Sequence, residues 1–210
     1  MVLRKIIIRP LAVIVSAGLP LGAVLTAGAS TAAAGRGADL RPAASCGSWR
    51  WPVKTGADKD RHAVRTAVVR TTIRYLRART APSSFPSYYQ NHRFRGAERH
   101  IYQLDGTRLT AFKLEDDGDI HLILKNNLGK SMIAEIPRPG CVRSSSLWRA
   151  AIATARASFM RRYTVTTSWH HVSRRITIRG LGFFDEVHGQ DGVAPNGIEL
   201  HPVISVRFGS

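Results

Sequence analysis

Two short stretches of this 210-residue chain carry side chains with the right types and spacing for chemistry: Glu199 and His201 in Ile198-Glu-Leu-His-Pro-Val, and Asp119 and His121 in Asp119-Ile-His-Leu-Ile-Leu. Side chains two apart on a strand share a face. Each pair therefore projects together, opposite an apolar stripe of Leu200, Ile204, Val206 and Phe208 in one strand and of Ile120, Leu122 and Leu124 in the other. If the two strands are neighbours, four ionisable groups converge, and Asp185 and His188 from the Gly-rich loop before Ile198 could join them. Imidazole with carboxylate is a donor set for a divalent metal such as zinc or manganese, or an acid/base pair for phosphodiester hydrolysis. The catalytic candidates are Asp119, His121, Glu199 and His201; the candidates for holding a divalent metal cofactor are His188, Glu199 and His201. No H-E-x-x-H or paired C-x-x-C occurs, and Glu-x-His is common by chance. The competing reading is that Glu199 and His201 bond to each other and fix the loop 185–197, with Asn196-Gly197 as its turn.

Other chemistries find less. There is no G-x-S-x-G nucleophile elbow and no phosphate-cradling glycine loop. Tyr102, Phe112, Phe183 and Phe184 lie in strand-like segments where they could stack nucleic-acid bases, and His170-His171 beside Trp169 reads as loop.

The elements that must position these groups follow from turn chemistry and hydrophobic period. Glu98 to Leu104, Arg108 to Glu115, Asp119 to Lys125 and Ser131 to Ile136 read as strands, separated by Asp105-Gly106, Asp116-Asp-Gly118 and Asn126-Asn-Leu-Gly129. The first of these turns could equally be a bend in one long strand. After Pro137 the period changes: Leu147, Ala151, Ile152, Ala155 and Phe159 fall on one helical face, which predicts a helix over 146–162 with Ser144 to Ser146 as caps. Arg175 to Phe184 and Ile198 to Phe208 read as two final strands. A meander, one helix and two more strands make a mainly β chain with the order of a small OB-like barrel, its helix packed across one end; a curved α+β sheet is the alternative. Upstream, Trp49 and Trp51 flank a strand-like stretch, Thr72 caps a short helix, and 59–70 is ambiguous between helix and strand.

The chain divides into 1–34, a leader and N-terminal arm over 35–95, and the barrel domain over 96–210. Arg4, Lys5 and Arg9 precede an uncharged apolar run from Leu11 to Leu25 and small-residue cleavage sites at Ala27-Gly-Ala29 and Ala32-Ala-Ala34. That is the pattern of a secretory signal peptide, so the protein is expected to be secreted, with no stable membrane span after cleavage. Cys46 and Cys141 are the two cysteines. In an exported protein an even count favours a disulfide between them.

The formal net charge is +17, and loss of Arg4, Lys5 and Arg9 would leave about +14. Such a charge attracts polyanions, here extracellular nucleic acid or an anionic cell-wall polymer. The arginines are spread over several elements, so the sequence defines no single binding stripe.

Three stretches, Asp117-Gly-Asp-Ile-His121-Leu-Ile-Leu, Met132-Ile-Ala-Glu135-Ile-Pro and Gly182-Phe-Phe-Asp185…His188-Gly-Gln…Ala194-Pro-Asn-Gly-Ile-Glu199-Leu-His201-Pro-Val, resemble a family of exported bacterial proteins of uncharacterised function. The resemblance spans most of residues 46 to 208 and implies one family-specific domain. It supplies no activity and no catalytic residue. Asp117-Gly-Asp119 also resembles a turn of the secreted thermonuclease-type nucleases, over three residues only.

Overall fold

The structure, a computed structural model, describes residues 45–209. Residues 1–34, where the sequence pattern leads one to expect a signal peptide, lie outside the described residues. In chain order the elements are α1 (Trp51–Lys54), β1 (Arg65–Thr71), α2 (Ile73–Arg77), β2 (His100–Leu114), β3 (Ile120–Lys125), β4 (Ser131–Ile136), α3 (Arg149–Met160), β5 (His170–Phe184) and β6 (Ile198–Phe208). The molecule is mainly β, as its punctuation implies. Among the described residues it has three α-helices: α3, the short arm helix α2, which Thr72 caps as expected by accepting from the Tyr75 N–H, and α1, which the sequence reading did not mark.

The six strands form one sheet in the order β1-β2-β3-β4-β6-β5, and β5 also pairs with β2, so β2 to β6 close into a ring. β2–β3, β3–β4, β2–β5 and β5–β6 are antiparallel, while β4–β6 and β1–β2 are parallel. Asp105-Gly106 is no hairpin. β2 runs through it as a single strand of 15 residues, bent where Gly106 takes φ 57° and the register with β5 slips between Leu104 and Thr107. The slip lets one strand pair with β3 along its second half and with β5 along most of its length, which closure requires.

Two segments differ from the sequence expectation for a local reason. His170 and His171 open β5 rather than a loop, paired with Phe112 and Ala111 of β2, and the His170 ring stacks on Phe112 at 5.0 Å. Trp49 and Trp51 lead into α1 instead of a strand, since Arg50 adopts a left-handed conformation (φ 48°) and Pro52 sits in the first turn, where its fixed φ suits a helix. The ambiguous stretch 59–70 resolves into a 3₁₀ turn over Arg61–Ala63 followed by strand β1 from Arg65, the latter consistent with its β-branched Val68-Val69.

Inside the ring sit Leu104, Leu109, Phe112, Leu122, Leu124, Met132, Ile176, Ile178 and Leu200, all essentially inaccessible. α3 lays Ala155 and Phe159 on this core and Ile152 on the smaller cluster with Trp148 and Leu181. It is shorter than the periodicity implies: Leu147 is exposed ahead of it, and Ser146 does not cap it but donates to the Thr55 carbonyl at 2.7 Å. The arm is fastened by the Cys46–Cys141 disulfide and by two buried arginines. Arg50 donates from both terminal nitrogens to Glu98 at 2.7 and 2.8 Å, and Arg93 grips Asp58 at 2.9 and 3.0 Å. Among the described residues no helix is long and apolar enough to cross a membrane.

Candidate functional site

Asp119, His121, Glu199 and His201 do converge, but their strands are not neighbours. β4 lies between β3 and β6. Glu135, opposite His121 in the β3–β4 register, fills the gap and joins the two pairs. Its Oε1 lies 3.1 Å from His121 Nδ1, and its Oε2 lies 3.1 Å from His201 Nδ1. Glu115 Oε1 also approaches His121 Nδ1 at 3.2 Å, Asp119 Oδ2 accepts from His201 Nε2 at 3.1 Å, and Glu199 Oε2 stands 3.7 Å from His201 Nδ1.

The residues alternate with core residues, as their period requires, so they point away from the ring interior. They are nevertheless buried: Asp119 and His201 are 0% exposed, Glu199 1% and His121 2%. The arm is the reason. Lys54, at the end of α1, reaches Asp185 at 3.3 Å, while Trp49 packs edge-on to Phe183, which packs edge-on to His201. On the other flank Trp169 packs edge-on to His121. The Asp117-Gly118 turn that presents Asp119 is held from α3, whose Arg156 donates to the Gly118 and Ile136 carbonyls.

Burial and charge pull in opposite directions here. Burial acts to lower the pKa of His121, but hydrogen bonds to Glu115 and Glu135 outweigh it and raise the value to about 10. Burial also opposes ionisation of His201, yet Glu135 and the bond to Asp119 hold it well above the ordinary histidine range. Glu135, desolvated but facing His201 and His121, is pulled well below its usual value. Glu199 is pushed up to about 7 by burial and by the charge on Glu135. Burial, and then Asp119, raise Asp117 to about 6. Lys54 is raised in spite of its burial, by Glu135, Asp185, Glu199 and Asp119.

One detail departs from a closed hydrogen-bond network. His201 Nδ1, Glu135 Oε2 and Glu199 Oε2 are all buried, and none of the three has a hydrogen-bond partner. The 3.1 Å approach of Nδ1 to Glu135 is misaligned for a hydrogen bond and acts as a charge contact only.

His188 does not join. It is exposed, its backbone N–H donates to Gln190, and it belongs to neither group of potential ligands among the described residues, which are Glu115/His121/Glu135 and Asp119/Glu135/His201. The loop 185–197 is fixed without a Glu199–His201 hydrogen bond: Asn196 donates to the Leu76 and Arg79 carbonyls behind α2, and Asp185 N–H to the Gly197 carbonyl. Tyr102, Phe112, Phe183 and Phe184 are all buried and offer no stacking platform. Sequence reasoning missed Glu135, Glu115 and Lys54; alternation marks Glu135 as facing away from the core, but only the strand order puts it between the histidines.

The outer face of the ring is a second candidate. Register places Arg108 of β2 opposite both Lys125 of β3 and Arg175 of β5, Arg207 of β6 opposite Thr177, and Arg179 and Arg70 on either side of Gln103. Arg70, Arg108, Lys125, Arg175 and Arg207 are exposed. Asp105 on this face is paired with Arg70 at 2.8 Å. No family model, curated protein or solved structure matches the chain.

Proposed function

We propose that this is an exported binding module whose outer face holds an extracellular anionic polymer with repeating phosphates, such as nucleic acid or a wall polymer. The observation that carries the reading is the opposition of like charges: Arg108 faces Lys125 on one side and Arg175 on the other. Like charges directly opposite on a sheet are destabilising, and a bound polyanion relieves them.

Export is supported by the signal-like N-terminus and by the Cys46–Cys141 bond. An OB-like ring is supported by the closure β2-β3-β4-β6-β5-β2, its parallel β4–β6 contact and the placing of α3 between β4 and β5. The face is built of guanidinium and ammonium groups, so recognition falls chiefly on the phosphate chain rather than on base sequence. A hydrolytic role for Asp119, His121, Glu199 and His201 would need a scissile bond to reach four buried groups, and the geometry favours binding over it.

The test is fluorescence anisotropy of a labelled single-stranded oligonucleotide and of a polyphosphate across a salt series. Each phosphate neutralised on a single strand contributes about −0.7 to the slope of log K against log salt. The triple change Arg108→Ser, Arg175→Ser, Arg207→Ser should flatten the slope by about 2 on that basis. An unchanged slope, or wild-type binding that ignores salt, would refute the proposal.

A further inference from the structure

Polyanion binding makes no use of the buried carboxylates, and two of the acids of that cluster meet at one ring nitrogen. His121 lies on the middle of three strands, where register sets it opposite Lys113 of β2 and Glu135 of β4. Glu115, just past the end of β2, is held by its own backbone: its N–H donates to the Asp119 carbonyl, and its carbonyl accepts from the Gly118 N–H, both at 2.9 Å. Glu135 Oε1 and Glu115 Oε1 consequently stand 3.1 and 3.2 Å from His121 Nδ1.

The far side of the ring settles which nitrogen is presented. His121 Nε2 lies 3.0 Å from the Asp191 carbonyl, which can only accept, so Nε2 carries a proton and Nδ1 is the atom aimed at the two carboxylates. A carbonyl on the far nitrogen is a usual orienting partner of a ligating histidine. Nδ1 between two carboxylates holds either a proton or a metal ion. A proton lies on one line and serves one oxygen well, whereas a cation serves both.

Two ligand atoms about 2.0–2.1 Å from a zinc ion in tetrahedral geometry stand roughly 3.3–3.4 Å apart. The separations of 3.1 and 3.2 Å need only a small outward shift to match, and ligand atoms of Glu115, His121 and Glu135 all lie within 4.8 Å of one another. The set of Asp119, Glu135 and His201 meets the same limit, but Asp119 lies at Nε2 of its ring and Glu135 at Nδ1, on different edges. Two further observations point to a ligand at His121. The Glu135 side chain is 6% exposed, and its second oxygen is buried without a hydrogen-bond partner, so its charge is incompletely compensated. The Glu115 side chain is 29% exposed and lines a cavity of about 390 Å³ with Lys113, Asp116, Asp117 and Thr167, which gives an ion a way in from solvent.

From this convergence we infer that Glu115, His121 through Nδ1, and Glu135 bind one divalent cation of the zinc or manganese class. One imidazole with two carboxylates and no thiolate suits these metals and disfavours the purely oxygen-loving magnesium and calcium. Three protein ligands leave a fourth position open, as in zinc sites that keep an exchangeable water. The cation would join the β2–β3 turn to β4 across His121.

The test is calorimetric titration of the disulfide-intact, tag-free protein with Zn²⁺ and with Mn²⁺. One equivalent per chain is expected. Glu115→Gln should lower affinity at least about 10-fold while still folding, since its side chain is partly exposed and glutamine keeps the shape. Lys113→Met should bind at least as tightly, because the ammonium 3.5 Å from Glu115 Oε1 competes with the metal. His188→Ala, on the exposed loop, should leave affinity unchanged. In ¹⁵N spectra of histidine-labelled protein, zinc should shift the Nδ1 resonance of His121 far more than its Nε2 resonance. Should Glu135→Gln fail to fold, Glu115→Gln and the His121 resonances decide the matter. Absence of stoichiometric binding in the wild type, undiminished affinity in Glu115→Gln, weaker binding by Lys113→Met, or zinc-induced shifts that spare His121 would each overturn the site. Polyanion binding is measured in the presence of chelator, so the two proposals fail separately.

Discussion

The arm's hold on the ring can be broken at one residue. Glu98 accepts from both terminal nitrogens of Arg50, at 2.7 and 2.8 Å, and from the backbone N–H groups of Phe94 at 2.7 Å and Phe184 at 2.9 Å. Arg50 is also fully buried, donates to the Tyr89, His92 and Phe184 carbonyls, and stacks over Phe94 and Phe183. Glu98→Ala therefore leaves a guanidinium without its counter-charge, and the buried Phe184 and part-buried Phe94 amides without acceptors. Removing one partner of such a pair costs about 3–5 kcal/mol, because the other charge remains desolvated. In a domain of this size that is a fall in Tm of about 10 °C.

Denaturant melts with the disulfide intact should show the loss, and hydrogen exchange should locate it, with faster exchange over α1 and 89–98 before the strands β3 and β4 are affected. The double variant Arg50→Met, Glu98→Leu should recover part of the stability, since both charges are gone. A fall below about 1 kcal/mol for Glu98→Ala, or a double variant worse than the sum of its parts, would refute the claim that the pair is a desolvated clasp.

Reduction of Cys46–Cys141, a closure across 95 residues, should lower stability by about 4–5 kcal/mol in the chain-entropy model, and mass analysis of the native protein should find no free thiol. Phe159→Ala removes an aromatic ring that packs on Phe112 and Tyr163, and should cost about 3–5 kcal/mol in a chemical melt. A value near zero would mean that α3 is not part of the core. Gly182→Ala should destabilise sharply, because a Cβ there would overlap the Ala97 carbonyl and crowd Tyr102; normal expression and an unchanged melt would contradict the close approach. Asp117→Asn tests the electrostatics. Burial, and then Asp119, raise the folded pKa to about 6 from 3.8, so the folded state holds this proton more tightly than the unfolded state does. Asp117 therefore weakens the fold increasingly as pH rises from about 4 through 6, and not below. The variant, which keeps an oxygen for the Asp119 N–H, should be more stable than wild type at pH 8 by about 1 kcal/mol after solvent screening, and equal to it at pH 4. A pH-independent difference would defeat the assignment.

What the chain discloses locally is what depends on local physics. β4 and β6 occupy the segments that alternation and turn residues mark, Ser131–Ile136 and Ile198–Phe208. The start of β5 is hidden because His170 to Arg175 alternates between half-buried and exposed residues and lacks an apolar stripe. The candidate site was legible as two pairs and not as a cluster. Glu135 looks like any polar residue alternating with Met132, Ala134 and Ile136, and only the crossover that sets β4 between β3 and β6 gives it two histidines. The face that Glu199 and His201 share is outward by period, as expected. Its burial comes from a segment about 150 residues earlier in the chain, whose arginines Arg50 and Arg93 carry no local sign of being core residues.

A sequence that folds well satisfies its local rules almost everywhere, and the exceptions concentrate where something besides stability was selected. In this chain the buried arginines are not exceptions, since Arg50 and Arg93 have carboxylate and carbonyl partners for their donors. Two places do break the rules. On the outer face, Lys125, Arg108 and Arg175 stand abreast across three strands, where alternating signs would have been more stable. Beneath the arm, Glu135, Glu199 and His201 each bury one polar atom that has no hydrogen-bond partner among the described residues. The first would be relieved by negative charge arriving from solution and the second by positive charge, so the two places make opposite electrostatic demands on whatever meets them.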